Sequence, residues 1–203
     1  VFALPWYITT NMIYYNTAIF EEAGLDPNDP PENFQELRDY ARAIKSETGA
    51  YGYMTFFNDQ FIMEELERMG IRLFNEDFTQ ATFNKPEVRE AVAYYQSMLQ
   101  EDLIPSQTLT SKSGTGEAIQ LYSSGELAMF YGGTSHARMI RENSQEVYDN
   151  TAVGPQIIGA EGKRNIAVMN IAVPKSSDAV DASVEFATFV TNNENQVTFA
   201  REA

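Results

Sequence analysis

No cysteine occurs among the 203 residues, which removes disulfides, thiolate metal sites and a thiol nucleophile from consideration. That absence is compatible with any compartment. Basic residues are scarce, 14 against 29 acidic ones, for a net charge of −15 and an isoelectric point near 4.4. No run of Lys or Arg interrupts that balance, so phosphate backbones and anionic lipids are repelled over most of the surface. Nucleic-acid and peripheral-membrane functions are therefore excluded as first readings. No apolar stretch approaches the roughly 20 residues of a membrane span. No signal-peptide pattern is present either, and the chain opens on Val1 rather than Met, so it reads as a piece of something longer. There is one tryptophan, Trp6, and one histidine, His136.

What is present supports a globular core, with 43% hydrophobic and 12% aromatic residues. A chain of this size typically buries about 70% of the surface its unfolded form exposes. The opening VFALPWYITTNMIYYN is aromatic and β-branched and predicts extended strand, followed by a short helix in TAIFEEAGL that stops at Gly24. A helix is expected from Asn33 to Lys45, with Phe34, Leu37, Tyr40, Ala41 and Ile44 as its buried stripe. Tyr51–Phe57 predicts a buried strand, and Asn58 to Gly70 a helix. Pro86 starts another helix, where its missing N–H costs nothing, with Val88, Ala91, Val92, Tyr95 and Leu99 facing the core.

Further helices are expected at AIQLYSS, SHARMIREN and DAVDASVEFATFVTN, and strands at LAMFYGG, TAVGPQII and NIAVMNIAVP. Helices alternating with short apolar strands define an α/β layered fold.

Catalytic motifs are thin. His136 follows Thr134 and Ser135 at a helix start, where Ser and Thr normally act as caps, and nothing around it supplies an oriented base and oxyanion hole. Gly114, Gly116, Gly132 and Gly133 match neither G-x-x-x-x-G-K-[ST] nor G-x-G-x-x-G after a strand. No cofactor motif or metal-ligand spacing emerges, and DPNDPPEN resembles a calcium loop only superficially.

What remains is a set of aromatic and polar residues at strand ends, where ligands of open α/β sheets sit. Trp6 and Tyr7 lie in the first strand. Phe57, Asn58, Asp59 and Gln60 occupy one strand-to-helix junction, Thr134 and Ser135 another, and Met169 and Asn170 a late strand. Aromatic faces suit the C–H groups of a sugar, while amides and carboxylates suit its hydroxyls. Each position taken alone is equally well explained as ordinary packing.

The order of segments resembles one family. LPWYITTNMIYYNTAIFEEAGLD is similar to the strand, Tyr-Tyr-Asn and Ala-Gly-Leu helix of sugar-type bacterial extracellular solute-binding proteins, which include maltose-binding-like proteins. PPENFQELRDYARAIK resembles the family's next helix start, with Phe34 where Trp is usual. TFNKPEVREAVAYYQSM and YSSGELAMFYGGT follow in the family's order, as does NIAVMNIAVPKSSDAVDASVEFATFVTNNENQ. In that last segment MNIAVPKSS replaces a Gly-Gly-containing version, so a close backbone approach to ligand is not carried over.

The resemblance covers nearly the whole chain. It implies a type II periplasmic-binding-protein-like α/β lobe with part of a second lobe. Residues 1–9 would be an inter-lobe crossover strand, 10–164 the second lobe, and 165–203 a return crossover with part of the first lobe. It further implies a non-catalytic subunit of an ABC importer that captures a carbohydrate in an inter-lobe cleft, with an ABC permease as membrane partner. The location implied is extracytoplasmic, with any membrane attachment through a lipid anchor.

The ligand candidates stay those ten residues. The rivals are an α/β hydrolase-type enzyme and a sensor or adhesion module uncoupled from transport. Within the importer reading, peptide, polyamine and glycerol-phosphate ligands stay open, although scarce Lys and Arg near the candidates disfavour a phosphate. Val184, Phe186, Phe189 and Phe199 are expected to stay partly open or to be covered by another chain.

Overall fold

The computed structural model describes residues 2–57, 59–110 and 115–202. In chain order the elements are β1 (Phe2–Thr9), β2 (Met12–Asn16), α1 (Thr17–Glu22), α2 (Phe34–Thr48), β3 (Tyr51–Met54) and α3 (Asp59–Arg68). They continue with α4 (Pro86–Gln100), α5 (Gln107–Thr110), α6 (Thr115–Ser123), β4 (Leu127–Gly132), α7 (His136–Asn143) and α8 (Gln145–Asp149). The last are β5 (Thr151–Gly154), β6 (Ala167–Val173), α9 (Val180–Val190) and α10 (Asn193–Glu202). Contacts divide the chain into two compact units, Asn11–Asn165 and Val1–Thr10 with Ile166–Ala203.

The larger unit is built on a four-stranded sheet in the order β3-β4-β2-β5. β3 runs parallel to β4, whereas β2 is antiparallel to both β4 and β5. Central β4 is buried along its whole length, which its unbroken apolar run LAMFYG requires. Alternation along the strands divides the core between the two faces of the sheet. Ile13, Tyr15, Tyr53 and Met129 pack under α1, α2 and α4 with Phe20, Leu37, Ile44 and Met98. Tyr14, Met54 and Phe130 pack on the opposite side against Ile119 and Tyr122 of α6 and Ile140 of α7. The α2 layer lies so close to β3 that a Cβ at Gly52 would overlap Ala41.

Local chemistry sets the helix ends. Asn16 and Asn33 cap α1 and α2, each accepting from two backbone N–H groups. Gly49, with φ of 76°, ends α2 in the left-handed conformation.

Several expectations need correction. Val92 is 55% exposed; the buried line on α4 is Ala91, Tyr95 and Met98, with Val88 and Leu99 at its margins. Adjacent apolar residues at 91 and 92 left the pattern with two possible lines about 100° apart, and packing took the one through Ala91. The strand begun at Tyr51 ends at Met54, because the Phe57 N–H bonds the Thr108 carbonyl of α5 instead of a neighbouring strand (3.3 Å). The opening strand is broken at Thr10 and Asn11, so β1 and β2 join different sheets. The short helices α5 and α8 lack a periodic stripe and were not expected.

The smaller unit pairs β1 with β6 antiparallel, from Phe2 opposite Val173 to Thr9 opposite Ala167. The register slips between Pro5 and Tyr7, leaving Trp6 as the extra residue of a bulge. Val173 and Ala187 are buried, while Phe186 and Phe189 of α9 are each 60% exposed and Val184 is open as well. Phe199 is half-buried against Trp6 and Tyr7.

Candidate functional site

Parallel neighbours end at the same edge of a sheet, and here β3 and β4 do so with Met54 opposite Phe130. β2 starts at that edge, Met12 facing Gly132, and β5 finishes there, Gly154 facing Ile13. The edge therefore collects Asn11, the residues after Met54, the Gly133-Thr134-Ser135 turn and the start of the loop beyond Gly154. Helices α3 and α7 begin from it, so their unbonded N–H groups lie on that side.

Of the candidates in this unit, Phe57, Thr134 and Ser135 stand along this one edge. Asp59 and Gln60 open α3 beside them, but their side chains, like the whole of Asn58, lie outside the described residues. Thr134 and Ser135 are exposed. Phe57 is half-buried, its ring set edge-on to Tyr95 at 4.8 Å. Beside it opens a pocket of about 360 Å³ lined by Phe57, Ile62, Leu66, Val92, Tyr95 and Leu109. Its walls are carbon, and Val92 faces into it rather than into the core.

The turn itself is held from inside. The Gly133 carbonyl accepts from the Tyr14 hydroxyl (2.9 Å), from Nδ1 of His136 (2.8 Å) and from the His136 backbone N–H (3.1 Å). Because a carbonyl can only accept, the proton of the neutral imidazole sits on Nδ1. The ring meets Phe130 and Tyr14 edge-on, at 6.0 and 6.2 Å. Burial holds the imidazole below its ordinary pKa, partly opposed by the bond to Gly133. Burial likewise raises the Tyr14 phenol. The bond to Gly133 O fixes the ring's orientation and its Nδ1–H tautomer.

A buried network behind the edge was missed by sequence reasoning. Glu65 and Arg68 form an ion pair on α3, and the Tyr95 hydroxyl donates to the second Glu65 oxygen. Arg68 also donates to the Ile157 carbonyl (3.0 Å) and stacks over the Tyr131 ring, 3.9 Å from its centroid. Burial raises the Glu65 carboxyl while Arg68 pulls it back. For Arg68 burial works against the charge, and Glu65 overrides it, leaving the guanidinium pKa raised. Burial pushes Tyr131 up to about 12. A Glu-x-x-Arg pair on a helix usually marks a solvated face, so the signal available was only that Ile62 and Leu66 share its turns.

The remaining candidates belong to the smaller unit. Trp6 and Tyr7 are half-buried, in edge-on contact at 5.2 Å, and each ring lies 5.3 Å from Phe199. Met169 pairs with Tyr7 and Asn170 with Pro5, so these four residues are brought onto one stretch of the β1–β6 ladder. Met169 and Asn170 are exposed, and the Asn170 amide donates to the Val168 carbonyl (3.0 Å). Among the described residues no group of three His, Cys, Asp or Glu could hold a metal ion, and no helix is long and apolar enough to cross a membrane.

An α/β unit with hydroxyl and aromatic side chains at the carboxyl edge of parallel strands has the construction of a ligand-binding protein. Residues 1–197 match the family described as bacterial extracellular solute-binding protein, and the chain belongs to that family. It is 28% identical over 201 residues to the mannitol-binding protein of Pseudomonas aeruginosa, covering 95% of this chain and 45% of that one. Over 101 residues it is 33% identical to the sn-glycerol-3-phosphate-binding periplasmic protein of Escherichia coli, covering 46% of this chain and 23% of the relative.

Among solved structures it resembles a candidate oligosaccharide periplasmic-binding protein from Synechococcus sp. MITs9220, with 35% identity and a TM-score of 0.87 over 99% of this chain and 50% of that one. A solute-binding protein from Agrobacterium vitis with bound D-mannitol shares the fold at 22% identity and a TM-score of 0.74, over 96% of this chain and 48% of that one. The chain spans about half the length of these two structures and of the Pseudomonas relative. The fold is that of type II periplasmic binding proteins.

Proposed function

We propose that the chain carries the ligand-capturing part of an ABC-importer binding subunit, extracytoplasmic and non-catalytic, whose ligand is a sugar, an oligosaccharide or a related polyol. Residues 10–164 are read as the second lobe, 1–9 as a crossover strand and 165–203 as the return crossover with part of the first lobe. The observation that carries the reading is the shared edge of β3 and β4, where exposed Thr134 and Ser135 follow one strand and the half-buried Phe57 follows the other. Hydroxyl-rich ligands need directional donors and acceptors next to an apolar face, and this edge supplies both.

The names of the mannitol-, tagatose- and maltose-binding relatives and structural neighbours support the same class. A glycerol-phosphate ligand fits less well. The edge segments 55–60 and 133–136 contain no Lys or Arg, and Arg68 behind them is already paired with Glu65. Capture then proceeds as a population shift toward the conformation with the most ligand contacts, followed by delivery to a permease.

The test is a thermal-shift and calorimetric panel on the full-length protein with D-mannitol, D-tagatose, maltose, maltotriose and sn-glycerol-3-phosphate. Ligand at about 100 times Kd stabilises the folded state by about 2.7 kcal/mol. Binding of at least one neutral carbohydrate, without turnover, is expected. Silence across the panel, or hydrolysis of a glycoside or ester, would sink the reading.

A further inference from the structure

We propose that His136 is a positioning residue of the ligand-binding edge: together with Tyr14 it pins the carbonyl of Gly133 and so fixes the turn that presents Thr134 and Ser135. The inference rests on the reading of that edge as a ligand site and adds the element that aims its hydroxyls.

Three features of the turn point this way. First, Gly133 O receives donors from two different elements, the Tyr14 hydroxyl of β2 at 2.9 Å and the His136 imidazole of α7 at 2.8 Å. Such a doubly held carbonyl cannot rotate without breaking both bonds, and the peptide it belongs to leads directly into Thr134. Second, room for the imidazole is made by the residue before the turn, since a side chain at Gly132 would come within 2.7 Å of Nδ1. The ring is further locked by edge-on contacts with Phe130 and Tyr14. Third, Ser135 occupies the N-cap of α7 yet its side chain makes no capping hydrogen bond. A serine at that position usually bonds the helix N–H groups. Here the Ser135 backbone is already helical (φ −64°, ψ −18°) rather than extended, so its hydroxyl does not cap, and the imidazole one residue on is what anchors the turn.

A protein that binds polyols needs its hydroxyl contacts fixed before ligand arrives, because ordering them on binding subtracts from affinity. The consequence is testable in Kd at temperatures where every variant is fully folded, a quantity that a purely stabilising side chain would not change. In the full-length protein, His136→Leu removes the Nδ1 donor, His136→Asn keeps a donor at nearly the same place, and Tyr14→Phe removes the second one. Binding of the tightest neutral carbohydrate among D-mannitol, D-tagatose, maltose and maltotriose is measured by calorimetry.

His136→Leu is expected to weaken binding about tenfold, with His136→Asn restored to within about threefold of the parent. Tyr14→Phe should weaken it several-fold. The double variant should differ from the product of the two single effects, since both side chains act on one carbonyl. Should His136→Leu fail to fold, His136→Gln replaces it, its amide lying one bond farther from the backbone than the Asn amide. Equal affinity for the parent and the Leu or Gln variant overturns the assignment while leaving the functional reading standing. Failure of the parent protein to bind any of the four sugars overturns the functional reading and the assignment together.

Discussion

Arg68 lies with its guanidinium 3.9 Å from the centroid of the Tyr131 ring, and both side chains are buried. The cation therefore has a π-face on one side and the Glu65 carboxylate on another, with a backbone carbonyl, Ile157 O, as a further acceptor. Breaking such a buried pair leaves a charge without compensation, which costs far more than the pair itself contributes. Arg68→Met should destabilise the protein by about 3–5 kcal/mol. Replacing Glu65 by Leu, Arg68 by Met and Tyr95 by Phe together should recover most of that loss. Urea unfolding of the single and triple variants checks both, and a single variant as stable as the parent would show that the pair is hydrated.

Glu101, just past the end of α4, receives two arginines from α2. Arg42 approaches at 2.6 and 3.1 Å, with Arg38 on the same carboxylate. These bonds hold the Glu101 pKa down to about 2 from its ordinary 4.5. Between those values the unfolded chain binds the proton more readily than the folded one. The contribution is therefore complete above about pH 4.5 and is lost as pH falls toward 2. Glu101→Gln should flatten this part of the acid limb. Denaturant midpoints measured from pH 5 to pH 2 in both proteins provide the check, and parallel curves would refute it.

Close approach of layers gives a third expectation. Gly52 faces α2 where any Cβ would overlap the backbone and methyl of Ala41, and neither is the flexible end of a side chain. Gly52→Ala should therefore displace α2 from β3 and cost at least the 1–3 kcal/mol typical of overpacking. The companion change Gly125→Ala meets open space but a φ of 78°, so it should cost only about 1 kcal/mol. Comparing the two unfolding midpoints separates steric overlap from backbone strain.

The parts of the fold that showed in the sequence are those written in repeating patterns. α2 could be bounded within a few residues because Asn33 caps it, Gly49 ends it and Leu37, Ala41 and Ile44 recur at helical spacing. Runs such as LAMFYG announced a strand because nothing polar interrupts them. The break at Thr10–Asn11 has no local mark, since both flanking segments are equally aromatic and β-branched, and only the family resemblance set a boundary between residues 9 and 10. The line taken by α4 was decided by which of Ala91 and Val92 fitted its neighbours, a packing choice with no local mark. The hydroxyl turn could be guessed from its place after a strand, but its anchor required knowing that Tyr14, 119 positions away, reaches Gly133 O. The Glu65–Arg68–Tyr95 network failed for the same reason, because burial of a charged pair is settled by the whole fold.

The last expectation separates stability from binding at two serines of adjoining helices. Ser144 caps α8, its hydroxyl accepting from the Val147 N–H at 3.3 Å. Ser135, at the start of α7, has a helical rather than an extended backbone and makes no such bond. Ser144→Ala should accordingly cost about 1 kcal/mol of folding stability and leave carbohydrate affinity unchanged. Ser135→Ala should do the opposite, leaving the unfolding midpoint in place while weakening binding about fivefold, the equivalent of about 1 kcal/mol for one lost hydrogen bond. Thr134→Val, which keeps the shape and removes the hydroxyl, should behave like Ser135→Ala. Urea titrations and calorimetry on the full-length variants read the two quantities independently. If Ser135→Ala and Thr134→Val both bind as tightly as the parent, the edge of β3 and β4 is not where the ligand's hydroxyls are held.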